Sequence, residues 1–530
     1  MDALNYSFQM PEWKGRVKEG WDYVVRLYDA VQDYIVPQYY HDRSNRSVQM
    51  RLYTLTKRHF VLVFVAFFTA FTLSVLLGIA GPSIAMYAER STTKHLPGGP
   101  FELKSPLLSR FNRSLWLTSV VEVDNGQGES FQKIFNVSIY IRGLAEDDSL
   151  VPVSNMFFNH TRTLSCKKAE LCEEMLLLHV SPIQYSSYMI TVLFQGLERA
   201  KVTEVNFTFR TYNPAFCEME IWFRFVFLVL SFIVTCMFAH SLRKFSMRDW
   251  SIEQKWLSVL LPFLLLYNDP IFPLNFLVDS WVTIILDNIF QTTFLSALLL
   301  FWLCAYHGIR KDYAVSPFRF WKFMSDRKWM YFYLPKLVLV GIIWVAAVVL
   351  ACWSQYRSLF DPTFNYKVDG GNFLGLVIFF LVVGSLYLLY LVFLIIRAFT
   401  ELKSLPYMNL RLRFMTVLML FVVAVCVAVV IMRFGIGILQ NNFISELSTY
   451  YKNSAEFLAF YSLLNCYLYA MAFVYSPSKN AHKDSYFKDN PTFSMLNESE
   501  DELIYGSDSD DNAVTRPLQN GTSYQESEDE

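Results

Sequence analysis

Asp287, Asn288 and Gln291 fall within one turn of an otherwise apolar stretch, Trp281 to Tyr306, and the four-residue spacing puts Asp287 and Gln291 on one helix face. A carboxylate at mid-membrane costs about 2.5 to 3.5 kcal/mol on insertion scales, so such a group turns inward, meets water or pairs with a cation. Other apolar stretches carry groups of the same kind: Arg224, then Asn268 with Asp269, then Arg433, then Glu456. Followed along the chain, all eight gather in the same half of their stretches, which predicts a polar vestibule above a floor of apolar and aromatic side chains. The chemistry open to such a set is a seat for a lipid headgroup, a proton or ion path, or plain mutual neutralisation. Catalysis gets no support, because no phosphate-binding glycine loop, zinc-binding HExxH, GxSxG elbow, dinucleotide fingerprint or zinc-ligand spacing occurs. The chain therefore reads as a non-enzyme with no catalytic or metal site, and a bound phospholipid or acyl chain is its only expected cofactor.

The elements that must position these groups are membrane helices. At 530 residues, 54% hydrophobic and 17% aromatic, the chain is more apolar than a soluble protein. A first apolar run, with its flanks, spans 59–82. Seven more lie near 221–240, 254–274, 281–306, 332–353, 373–396, 414–433 and 455–475. The run near 254–274, third of the eight along the chain, is interrupted by Pro270 and Pro273, which should break its helix. Lys and Arg crowd the segments before the first run and after the second, fourth and sixth, and are sparse in the others. Short basic loops face the cytosol, so eight spans with both termini cytosolic are expected: an anchor plus a seven-helix core over 218–475. Residues 1–58 carry Val17, Trp21, Val24, Val25, Tyr28, Val31 and Ile35 at helical spacing, an amphipathic helix lying on the membrane or on the bundle.

Residues 83–217 follow a different grammar. Leu115–Val121, Asn136–Ile141, Met189–Phe194 and Val205–Phe209 alternate apolar and polar positions, so a lumenal β-sandwich is expected. Sequons at Asn112, Asn136, Asn159 and Asn206 predict glycans there, and Cys166 with Cys172 predicts a disulfide in that oxidising compartment. Cys217 has no evident partner. From 476 to 530 the chain turns acidic and reads as a disordered cytosolic tail. Within it Ser507 and Ser509 suit acid-directed kinases, and EDELI at 500–504 approaches a sorting signal for trafficking adaptors; a merely solvated tail remains the alternative. No basic, aromatic-interleaved stripe points to nucleic acid.

An anchor span, a lumenal β domain and a seven-helix core resemble the Wntless-like, Golgi-dynamics-domain seven-transmembrane superfamily. The resemblance is carried by LLPFLLLYNDPIFPLNFLVDSW from Leu260, DNIFQTTFLSALLLFWLCAYHGIR from Asp287, ELSTYYKNSAEFLAFYSLLNCYLYAMAFVYSPSKN from Glu446 and FSMLNESEDELIYGSDSDD from Phe493. It implies a receptor-like membrane protein of Golgi, endosomes or plasma membrane, with a secreted cargo protein or a bacterial cytolethal distending toxin as lumenal partner and membrane lipid as the other. The long N-terminal region and the tail depart from Wntless itself, which speaks against Wnt as cargo. A G-protein-coupled receptor and an ion or lipid channel or transporter stay open as rivals.

Overall fold

The computed structural model describes residues 48–478 apart from short segments, the longer of which are 125–130, 167–171, 311–326, 365–372 and 435–452. The amphipathic stretch before residue 48 and the tail with Ser507 and Ser509 lie outside the described residues.

Among the described residues, helix α1, Lys57–Ile79, leads into nine strands, and seven long helices follow, with a single turn at Leu274–Leu277 between the second and third of them: α2 (Pro214–Leu242), α3 (Ile252–Tyr267), α4 (Trp281–Arg310), α5 (Arg327–Phe360), α6 (Phe373–Leu402), α7 (Pro406–Phe434) and α8 (Ser454–Tyr475). All but α3 contain a segment long and apolar enough to cross a membrane. Helix α3 has sixteen residues, a reach of about 24 Å against a hydrocarbon core of about 30 Å. Eight spans were expected; among the described residues seven helices are of membrane length, and the run over 254–274, the second of the core, is helical only as far as Tyr267. The cause lies in Asn268-Asp269-Pro270. A residue before proline is driven from helical geometry, and Asp269 takes the left-handed conformation (φ 50°) that Asp tolerates better than most.

Helix starts are set by local chemistry. Asn213 Oδ1 accepts from the Ala215 N–H at 3.1 Å, and Pro214 occupies the first helical position, where a missing N–H is harmless. Ser251 and Gln254 form a reciprocal capping box at α3, and Gln254 Nε2 then donates to Tyr475 O at 2.9 Å, fastening α3 to the end of α8.

The strands form two antiparallel sheets. One has the order β1-β9-β3-β7: Ala85–Thr92, Val202–Tyr212, Leu115–Val123 and Met175–Val180. The other has β2-β8-β4-β5, with β6 also paired to β4: Phe101–Lys104, Ser187–Gln195, Phe131–Leu144, Leu150–Pro152 and Phe158–Cys166. Alternation decides the faces. Val205, Phe207 and Phe209 from one sheet meet Ile190, Val192 and Phe194 from the other in a single apolar core. Cys166 and Cys172, both part of this core, are joined by a disulfide.

Helix α1 is not an isolated tether. Phe64 and Phe68 pack edge-on against Phe414 and Phe421 of α7, and its C-terminal end meets α8 backbone to backbone. A Cβ on Gly78 would sit 2.6 Å from Ala455 Cα. Since neither backbone can yield, Gly78→Leu is expected to force α1 off α8 and lower the stability of the purified chain by about 1–3 kcal/mol. Gly384, with no neighbour within 4 Å of its would-be Cβ, supplies the control: Gly384→Leu should leave the detergent melting temperature essentially unchanged.

Candidate functional site

Glu220 and Arg224 stand four apart on α2, one helical turn, and Arg224 Nε donates to Glu220 Oε1 at 3.1 Å. The same guanidinium crosses to α4, where Nη1 donates to Asp287 Oδ1 at 3.0 Å and Nη2 to Oδ2 at 3.5 Å. Gln291 Nε2 also donates to Asp287 Oδ1, at 2.8 Å. Asp269, at the end of α3, brings Oδ2 within 3.9 Å of Arg224. Its other oxygen accepts from the Ile271 N–H at 3.2 Å. The Arg224 guanidinium carbon lies over Phe272, 3.9 Å from the ring centroid, with Tyr461 at 5.1 Å. Glu220, Arg224, Asp269 and Asp287 are each at most 6% exposed.

The β domain reaches into this cluster. Arg113, held in the left-handed region (φ 60°) just after a short 3-10 turn, places Nη1 3.4 Å from Glu220 Oε2 and stacks on Phe272 and Tyr212. Loss of water opposes its charge most strongly, but Glu220, Tyr212, Cys217 and Asp287 together outweigh this and raise its pKa. Two arginines thus face three carboxylates.

A second, uncharged knot lies beside it. Asn268 Nδ2 donates to Ser231 Oγ at 2.9 Å and to Asn465 Oδ1 at 3.0 Å, while Asn465 Nδ2 returns a bond to Asn268 Oδ1 at 3.1 Å. Tyr469 joins at Ser231 and donates to Phe227 O at 3.1 Å. Helices α2, α3 and α8 are pinned together by bonds whose loss would leave buried amides unpaired.

Of the eight polar residues singled out in the sequence, Arg224, Asp269, Asp287 and Gln291 meet directly, and Asn268 anchors the adjoining knot. Asn288 and Glu456 are half-buried on α4 and α8, and the side chain of Arg433 lies outside the described residues. Arg113, Glu220, Ser231 and Asn465 were not anticipated. The spacing of Glu220 to Arg224 was a visible signal; Arg113, from another domain, offered none. The apolar floor is corrected too. At the end away from the β domain, Glu253 pairs with Arg411 through an Nε–Oε1 bond of 2.8 Å, and Lys255 and Lys336 are buried. Lys336 Nζ donates to Phe332 O and lies 3.6 Å from that ring's centroid. Among the described residues, no three His, Cys, Asp or Glu side chains are grouped to hold a metal ion.

The glycan expected at Asn112 does not fit the fold. Asn112 is buried, its Oδ1 accepts from the Ser109 N–H at 2.6 Å, and its Nδ2 donates to Tyr212 O at 2.9 Å. The nitrogen that would carry the sugar is therefore the one that ties this turn to the end of β9. Asn136 and Asn159 are exposed, and Asn206 is half-buried with Nδ2 3.2 Å from Glu122 Oε1.

The β domain is also clamped to the loop after α5. His160 Nε2 lies 2.7 Å from Asp361 Oδ2, Arg162 Nη2 donates to Thr363 O at 2.8 Å, and the His179 N–H donates to Pro362 O at 2.7 Å. Burial of Asp361 opposes its ionisation, yet hydrogen bonds from His160 and Thr363 prevail and hold its pKa below the ordinary carboxylate value. His179, stacked face to face on Trp116, is pushed down to about 4 by loss of water.

A β-sandwich seated on a helical bundle, with a charged cluster at their junction, defines a multi-pass membrane protein, and the chain belongs to the Wntless-like family, whose transmembrane-domain model matches residues 213–479. Residues 99–212 match the model described as "TMEM181, GOLD domain". Over 476 residues, 89% of this chain and 96% of the relative, it is 52% identical to Transmembrane protein 181 of Homo sapiens.

Two outcomes follow from this geometry. Arg224→Met strands Glu220, Asp269 and Asp287 with only Arg113 nearby. Its cost is expected near 3–5 kcal/mol, as for other broken buried pairs, and Gln291→Leu should cost clearly less in the same melting assay. The second concerns pH. The unfolded chain takes up a proton at His179 near 6.5, the folded chain only near 4. The unfolded state therefore holds more protons between these values, so this contribution is complete above about 6.5 and is lost as pH falls towards 4. Amide exchange in β3 and β7 should accelerate on acidification over that window, and His179→Phe, which keeps the stack but cannot titrate, should flatten the response.

Proposed function

We propose that this chain is a receptor-like carrier of the secretory and endocytic route, with its β domain in the lumen and both termini cytosolic. The domain binds a secreted or lipid-bearing partner, and the polar end of the helical core, around Arg224 and Asp287, answers that binding. The observation that carries this reading is Arg113: a β-domain side chain seated against Glu220 makes the domain's position and the core's charge balance one property. A partner that shifts the domain must disturb Glu220, and through it Arg224 and Asp287. By likeness to its family the chain would also serve as a host factor for bacterial cytolethal distending toxins. Phosphorylation at Ser507 and Ser509, adding about 1.5 to 2 negative charges each, would then adjust adaptor binding and sorting.

Pull-down from the lumenal side with mass spectrometry tests the reading. Recovery of one secreted or acylated protein by the full chain, and its loss with Arg113→Gln in a protein that still folds, is the expected result. Equal recovery by the two would separate partner binding from the core and defeat the proposal. Glycan mapping checks the orientation. Glycosidase-sensitive mobility shifts should be lost in Asn136→Gln and in Asn159→Gln, whereas Asn112→Gln, and substitution of the two sequons of the acidic tail, Asn497→Gln and Asn520→Gln, should change nothing.

A further inference from the structure

The turn between α3 and α4, residues 269–280, lies against the β domain and leaves a crevice lined by Arg110, Arg113, Ile183, Asn275, Phe276 and Ser280. We propose that this crevice binds the anionic, hydroxyl-bearing phosphate headgroup of a membrane lipid.

Asn275 carries the argument. Its Nδ2 and Oδ1 are both buried, and neither has a hydrogen-bond partner. Each unmade bond costs about 1–3 kcal/mol, and buried amides elsewhere in the chain, Asn268 and Asn465 among them, are fully engaged. An amide needs one group that accepts and one that donates, which a phosphate oxygen beside a hydroxyl supplies together. The enclosed space of the crevice is about 20 Å³ in all, enough for a hydroxyl-sized group and for neither a phosphate nor an acyl chain, since a water needs roughly 10–15 Å³ on the same measure; the phosphate would sit at the mouth.

The mouth selects for negative charge. Arg110 is exposed, forms no salt bridge among the described residues, and reaches the α3–α4 turn through a long 3.5 Å bond to Leu277 O. Arg113 stands beside it with Glu220 as its one carboxylate partner among the described salt bridges. Two guanidinium groups about a shared opening are suited to phosphate, which each can engage through paired N–H donors.

The rim says where the phosphate comes from. Leu274, Leu277, Val278 and Trp281 are 40–68% exposed, a run of apolar side chains immediately before and at the first turn of α4. Tryptophan favours the boundary between headgroups and hydrocarbon. A lipid whose tails lie along Leu277 and Trp281 sets its phosphate at the arginines and its hydroxyl at Asn275.

The test uses the full chain in detergent, titrated with phosphatidylglycerol or phosphatidylcholine and read by native mass spectrometry and by melting temperature. Phosphatidylglycerol is expected to bind about tenfold more tightly than phosphatidylcholine. Arg110→Gln and Asn275→Leu should each remove about five- to tenfold of that preference without lowering the lipid-free melting temperature, a loss in keeping with one or two charge-assisted bonds. Glycerol 3-phosphate and inorganic phosphate form the soluble arm. Competition by glycerol 3-phosphate at micromolar concentration supports the site and assigns it to a free headgroup, whereas competition only by the lipid supports the membrane source. Equal binding of the two lipids, or full retention of the preference in both variants, overturns the proposal and leaves the crevice to an ordered water.

Discussion

Neutralising Arg224 is the constraint on which the helical core depends. A guanidinium between membrane helices is tolerated only when carboxylates and rings replace the water it has lost, and here they come from separate pieces of chain: Glu220 from its own helix, Asp287 from α4, Asp269 and Phe272 from the end and exit of α3, Tyr461 from α8. None of these can be moved without exposing a charge to hydrocarbon, so the cluster fixes the mutual placement of four helices. Ordinary apolar packing does not select so narrowly, because one leucine face serves another nearly as well.

The broken geometry after α3 is part of the same solution. Had the helix continued past Tyr267, Asn268 and Asp269 would have followed the helical rise, and Phe272 could not fold back beneath Arg224. Proline and a left-handed aspartate end the helix at the level where polar side chains are wanted. Non-helical backbone at such a position is stable because the β domain and the neighbouring helices cover it. The shortness of α3 thus serves the cluster: a full span would have carried these groups away from it.

The multi-pass class was legible because apolar runs of twenty or more residues have few alternatives, and the sandwich because Val205, Phe207 and Phe209 alternate as only a half-buried strand does. Strands β1, β2, β5, β6 and β7 were not, since Ala85–Thr92 and Phe158–Cys166 carry polar residues on both sides of the pleat and owe their state to their partners. Asp287 announced itself by being out of place in an apolar helix. Its partner Arg224 was visible as a group but not as a contact, because spacing within one helix says nothing of which helix lies opposite. Asn112 misled for a related reason. A sequon reports three residues, and whether its amide is free depends on Tyr212, a hundred positions away.

Helix α1 packs on the last helix of the core, with Gly78 against Ala455 and Ser454 Oγ donating to Pro82 O. On the ribosome these segments emerge far apart in time: at about 5–20 residues per second, the roughly 380 residues between them take about 20 to 75 s to synthesise. Through that interval the first helix waits in the bilayer with its contact face bare, and the glycine notch that receives α8 is open to any other small-faced helix nearby. The face of α1 that meets α8 can thus be covered only after Ser454 and the residues that follow it have been made. A nascent chain truncated before Ser454 would leave that notch unfilled.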